Sequence, residues 1–102
     1  MLIIAYIPCS SKAEAEKIGE ALVRERLAAC VNIHESSSIC EWKGKTEKAK
    51  EFIIIAKTLD RRFGKLKKRV EEMHSYETPC ILKIPTAESN DGYFNWVKKQ
   101  VG

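Results

Sequence analysis

The chain has 102 residues, 44% of them hydrophobic and 31% charged, with a formal net charge of +4. That allows one domain, spanning 1–102, with a modest core, and it is too apolar for a disordered segment. No apolar run is long enough to span a bilayer, and the apolar Met1–Pro8 segment lacks the basic start and small-residue cleavage site of a secretion signal.

A cytosolic protein is therefore expected. Cys9, Cys30, Cys40 and Cys80 are scattered without a Cys-x-x-Cys pair, so free thiols are the expectation, three of them in apolar, strand-like surroundings. The mild positive charge permits weak polyanion binding and does not demand it.

Leu2 to Ile7 is short, apolar and β-branched, and reads as a buried strand bounded by Pro8. Ser11-Lys12-Ala13-Glu14 has the form of a capping box. Behind it Ala15, Ile18 and Leu22 share one face of an amphipathic helix reaching about Ala29. Cys30 to Thr58 then reads as a long β-hairpin around a Trp42-Lys43-Gly44-Lys45 turn. Its first arm alternates, as a half-buried strand does. Its second arm carries the unbroken run Phe52 to Ala56, the pattern of a strand covered on both faces. Leu59, Phe63, Leu66, Val70 and Met73 recur at helical spacing, so a second helix is expected over Asp60 to His74 with Asp60 as N-cap. Cys80 to Ile84 reads as a fourth strand ending at Pro85. A short last helix follows, carrying Tyr93, Trp96 and Val97.

The order strand, helix, strand, strand, helix, strand, helix predicts an α+β fold. It is the ferredoxin-like split βαβ arrangement, βαββαβ plus a C-terminal helix, with one antiparallel sheet and helices on one face. The first and third strands are then central. Helices on one face leave the apolar run Phe52 to Ala56 with an uncovered side, most simply covered by another copy of the chain.

Little in the chain suits catalysis. Only His34 and His74 could act as imidazole bases, no nucleophile elbow accompanies them, and the five glycines form no phosphate-cradling loop. The Glu71-Glu72 pair reads as a solvated helix face. Arg61, Arg62, Lys65, Lys67, Lys68 and Arg69 make the second helix basic, but the central strands lack the stacking aromatics of an RNA-recognition sheet. A solvated face with no specific nucleic-acid binding is the expectation. Metal binding is the remaining candidate. Topology brings Cys9, at the exit of the first strand, and Cys80, at the entry of the fourth, to the end of the sheet where the second helix delivers His74. Two readings of this set stay open. One is a soft-metal site on His74, Cys9 and Cys80. In the other, Cys80 is buried packing, Cys9 a surface thiol and His74 a residue capping the helix end.

Several blocks taken together resemble the CutA family, the divalent-cation tolerance proteins. They are Arg26-Leu27-Ala28-Ala29-Cys30-Val31-Asn32-Ile33, Trp42-Lys43-Gly44-Lys45, Glu51 with Lys57-Thr58, His74-Ser75-Tyr76-Glu77-Thr78-Pro79 and Tyr93-Phe94-Asn95-Trp96. The resemblance covers nearly the whole chain. It implies a homotrimer held by long hairpins, a cytosolic location, and binding of copper or another divalent cation. The family's histidine matches His74, and its cysteine falls near the end of the first strand, close to Ile7, with Cys9 nearby. PII-type signalling trimers are built similarly, which gives an alternative: a small anionic ligand held between subunits by Arg26, Lys43, Lys45 and Lys57. A trimeric scaffold for a partner protein is a third reading.

Overall fold

A computed structural model describes residues 1–102 as β1 (Leu2–Cys9), α1 (Lys12–Arg24), β2 (Cys30–Trp42), β3 (Lys45–Leu59), a 3-10 turn (Asp60–Arg62), α2 (Phe63–Met73), β4 (Leu82–Pro85) and α3 (Asp91–Val101). The strands form one antiparallel sheet in the order β2-β3-β1-β4, so β1 and β3 are central as the apolar patterns predict. The fold is the expected α+β arrangement.

Most boundaries shift by a few residues, each for a local reason. The helical stretch after Ser11 ends at Arg24 instead of Ala29, because Arg26 adopts a left-handed conformation (φ 59°) and turns the chain back. The N–H groups of Leu27 and Ala28 then both donate to the Leu22 carbonyl. Their side chains enter the core, which is why the apolar spacing continues past the true helix end. Asp60 does not cap α2. Its carboxylate accepts from Lys83 Nζ at 2.8 Å, and the residue opens the 3-10 turn. β4 starts at Leu82 and takes in Pro85, which an edge strand tolerates because its outer side needs no N–H donor. The hairpin turn is as read: Trp42 pairs with Lys45, and Lys43 (φ 52°) and Gly44 (φ 78°) take the two positive φ values of a tight two-residue turn.

Alternation along β1 and β3 separates two cores. Ala5, Ile7, Cys9, Ile54 and Ala56 face α1 and α2, packing with Ala15, Ile18, Leu22, Leu66 and Val70. Leu2 and Leu59, paired across the sheet, point the other way and pack with Val97 and Val101 of α3. The two long helices thus share one face, as expected, while α3 covers one end of the opposite face. The rest of that face stays open, with Leu82 52% and Ile84 42% exposed. The outer half of the hairpin extends beyond both cores: every residue from Lys45 to Lys50 is exposed. The molecule measures 45 × 26 × 21 Å as a result.

Candidate metal centre

The site forms where β1 ends, α1 begins and α2 stops. Ser11 caps α1 by accepting the Glu14 N–H at 3.1 Å. The return half of the box closes one residue earlier than the sequence suggests: Glu14 Oε1 accepts from the N–H and the hydroxyl of Ser10, both at 3.0 Å. Its other oxygen accepts the Ser75 N–H at 2.7 Å, which ties the start of α1 to the end of α2. His74 leaves α2 in an extended conformation and turns its imidazole inward, where the side chain is fully buried.

Both nitrogens of His74 are engaged. Nε2 lies 2.7 Å from the Pro8 carbonyl oxygen, which can only accept, so Nε2 carries the proton. Nδ1 accepts the Tyr76 N–H at 3.1 Å and stands 4.0 Å from Glu14 Oε2. Cys9 is fully buried beside them. One donor atom each from Cys9, Glu14 and His74 lies within 4.8 Å of the others. Burial first, then the carboxylates of Glu14 and Glu51, push the Cys9 thiol up to about 12. Burial alone would raise the Glu14 carboxyl; the hydrogen bonds from Ser75 and Ser10 outweigh it and hold the group at about 2.

His74 and Cys9 therefore come together as the sequence suggests. Cys80 does not join them. It lies in the loop two residues before β4 and is exposed, while Cys9 is buried, so the packing and surface roles envisaged for these two thiols are reversed. Glu14 was missed as a possible ligand because the capping box already accounted for it. Of the alternative anion-binding set, the Arg26 guanidinium donates to the Gln100 carbonyl at 3.0 Å and Lys57 donates to Asn32 Oδ1. Lys43 and Lys45 sit at the hairpin tip, about 40 Å along β3 from Lys57 at roughly 3.3 Å per residue. Within one chain these four do not converge.

Thiolate, imidazole and carboxylate together form a donor set for zinc or copper and a poor one for magnesium or calcium. A metal would have to displace the strongly held thiol proton, and one imidazole nitrogen would have to leave its protein partner. Nδ1 is the nitrogen nearer Glu14, and it is released if the Tyr76 N–H moves aside.

Residues 3–100 match the family described as CutA1 divalent ion tolerance protein. The chain belongs to that family. It is 42% identical over 96 residues to the divalent-cation tolerance protein CutA of Archaeoglobus fulgidus, covering 94% of each chain. It is 40% identical over 100 residues to the Thermus thermophilus protein of the same name, covering 97% of each. Among solved structures, the periplasmic divalent cation tolerance protein CutA from Archaeoglobus fulgidus superposes over all of both chains with a TM-score of 0.98 at 40% identity. CutA1 from Pyrococcus horikoshii covers 98% of each chain with a TM-score of 0.94 at 34% identity. The CutA1 fold and membership of the family described as divalent ion tolerance proteins thus stand for this chain.

Proposed function

We propose that the protein is a homotrimeric, non-enzymatic metal-binding member of its family that takes up copper or another soft divalent cation during the response to metal excess. The observation that carries this reading is the convergence of Cys9 Sγ, a Glu14 carboxylate oxygen and a His74 ring nitrogen within 4.8 Å at one end of the sheet. Glu14 would supply fixed negative charge, Cys9 the soft donor and His74 the borderline one. The metal supplies the charge that stabilises the thiolate. Because the thiol must deprotonate, affinity should weaken as pH falls.

Copper titration of the wild type against His74→Ala and Cys9→Ser tests the site. One copper per chain should be lost in both variants, while Cys80→Ser should bind like the wild type. Unchanged stoichiometry and affinity in the first two would remove the site and leave a trimeric scaffold as the better reading.

The trimer draws support from the open sheet face around Leu82 and Ile84 and from the unpaired outer edges of β2 and β4. Sedimentation should show three chains, and a well-folded monomer at micromolar concentration would refute it. No helix is long and apolar enough to cross a membrane. The family's tolerance role is compatible with a cytoplasmic location, although the Archaeoglobus fulgidus relative is described as periplasmic. Fractionation of the source cell decides the compartment.

A further inference from the structure

The segment between α2 and β4, residues 74–81, belongs to no helix or strand, so its backbone N–H groups need partners elsewhere. Two of them find the metal centre. The Ser75 N–H donates to Glu14 Oε2 at 2.7 Å, and the next amide, that of Tyr76, donates to His74 Nδ1 at 3.1 Å. Those acceptors are the two atoms that face each other across 4.0 Å. Successive amides thus sit on the carboxylate and the imidazole that would hold a metal. Tyr76 also reaches away from the centre: its O–H donates to Glu51 Oε2 of β3 at 3.0 Å, and its ring lies against the imidazole with centroids 4.8 Å apart.

The two amide contacts are not equivalent. A carboxylate oxygen has two lone pairs, so Glu14 Oε2 can keep the Ser75 N–H and still face a cation. A neutral imidazole has one acceptor nitrogen with one lone pair, so Nδ1 holds either the Tyr76 N–H or a metal. The other ring nitrogen offers no way around this. Nε2 donates to the Pro8 carbonyl, and Pro8 lies in β1, paired with Ile53. Freeing Nε2 would mean moving a central strand, whereas freeing Nδ1 means moving one residue of irregular chain. The amide that must move and the phenol tied to Glu51 belong to the same residue.

We propose that Tyr76 is a latch opened by metal loading: its amide leaves His74 Nδ1, its phenol leaves Glu51, and Ser75, retained by Glu14, is the pivot. The inference rests on the metal reading of the site and adds a route by which occupancy reaches β3. Glu51 stands where the exposed stretch Lys45–Lys50 joins the part of β3 that enters the core, and it pairs with Ser36 of β2. The Tyr76–Glu51 hydrogen bond is therefore a tie between the metal centre and the root of the hairpin arm, closed when His74 is unloaded and open when it is loaded.

Zinc is the probe, being diamagnetic and suited to thiolate, imidazole and carboxylate. Amide hydrogen exchange of the assembled protein, read by NMR with and without zinc, should show the Tyr76 N–H exchanging about tenfold faster or more in the loaded state, while the Ser75 N–H stays protected. Tyr76→Phe removes the tie to Glu51 but keeps the amide and the ring. Zinc should then bind about three- to tenfold tighter, the scale of one hydrogen bond no longer broken on loading. Tyr93→Phe, which removes a phenol of α3, should leave the affinity unchanged. If zinc is lost in His74→Ala but the Tyr76 N–H is equally protected in the free and loaded wild type, the latch is overturned and the metal reading stands. Unchanged or weaker binding in Tyr76→Phe has the same meaning. Zinc held as tightly by His74→Ala as by the wild type would refute the metal reading, and the latch falls with it.

Discussion

Glu14 takes part in three arrangements through one carboxylate: it closes the cap of α1, holds the backbone of Ser75 and faces His74. This gives the protein a defined pH range. The Glu14 carboxyl, ordinarily near 4.5, sits at about 2 in the fold, so its contribution is complete above 4.5 and is lost as pH falls from there towards 2. The Cys9 thiol, ordinarily near 9.0, sits at about 12, so its contribution is complete below 9.0 and is lost as pH rises from there towards 12. Tyr76, raised to about 12 by burial and by its hydrogen bond to Glu51, adds to the alkaline side. Glu14→Gln should therefore flatten the acid limb of a plot of denaturation midpoint against pH, and cost about 1–3 kcal/mol at neutral pH through lost charged hydrogen bonds. Cys9→Ala should flatten only the alkaline limb. An acid limb that survives Glu14→Gln would show that other carboxylates set it. His74 and Cys9 were legible in the sequence because their residue types are rare and the topology is simple. Glu14 was not, since a glutamate three residues after a serine is explained completely by helix capping, and nothing local says that its second oxygen reaches across to Ser75 and His74.

At the scale of elements, the least legible placement was α3. Its apolar stripe showed a helix with one buried side, but an amphipathic pattern does not say which face of a sheet it will meet. The structure answers through two arginines, one in the turn after α1 and one closing the 3-10 turn before α2. Arg26 Nη1 donates to the Gln100 carbonyl, and Arg62 Nε donates to the Val101 carbonyl at 2.8 Å, so the open C-terminal end of α3 is met by two positive charges. Arg62→Ala should lower stability by about 1–2 kcal/mol, because that contact is partly buried. At Arg26 the backbone matters as much as the guanidinium. Its left-handed φ strains any L side chain, so Arg26→Gly should be about 1 kcal/mol milder than Arg26→Ala. Equal melting temperatures for the two Arg26 variants would contradict this. The shifted end of α1 shares a cause with the uncertainty over α3: apolar periodicity reports burial, and burial of Leu27 and Ala28 continues through a turn where the helical hydrogen bonding has already ended.

At the scale of the molecule, the sheet order was readable because two strands, LIIAYI and FIIIA, are apolar on both faces and must be central. What the sequence could not divide was the cover of the second face, part of which comes from α3 and part of which stays open around Leu82 and Ile84. The central place of β1 also sets a timetable. The first strand to be synthesised is the one that must be gripped on both sides, by residues 52–59 and by residues 82–85. Until the last fifth of the chain exists, β1 has no complete set of partners, and closing those long loops is entropically slow. The hairpin of β2 and β3, whose strands are adjacent in sequence, has no such delay. Pulse-labelled hydrogen exchange during refolding should accordingly protect amides near the Trp42–Lys45 turn first and those of Ile3 to Tyr6 last. Simultaneous protection would mean that the sheet forms in one concerted step. On the ribosome the same order means that β1 is made before either of its partner strands and waits unpaired until residues 52–59 and then 82–85 follow. That strand is the segment most in need of shelter before the fold can close.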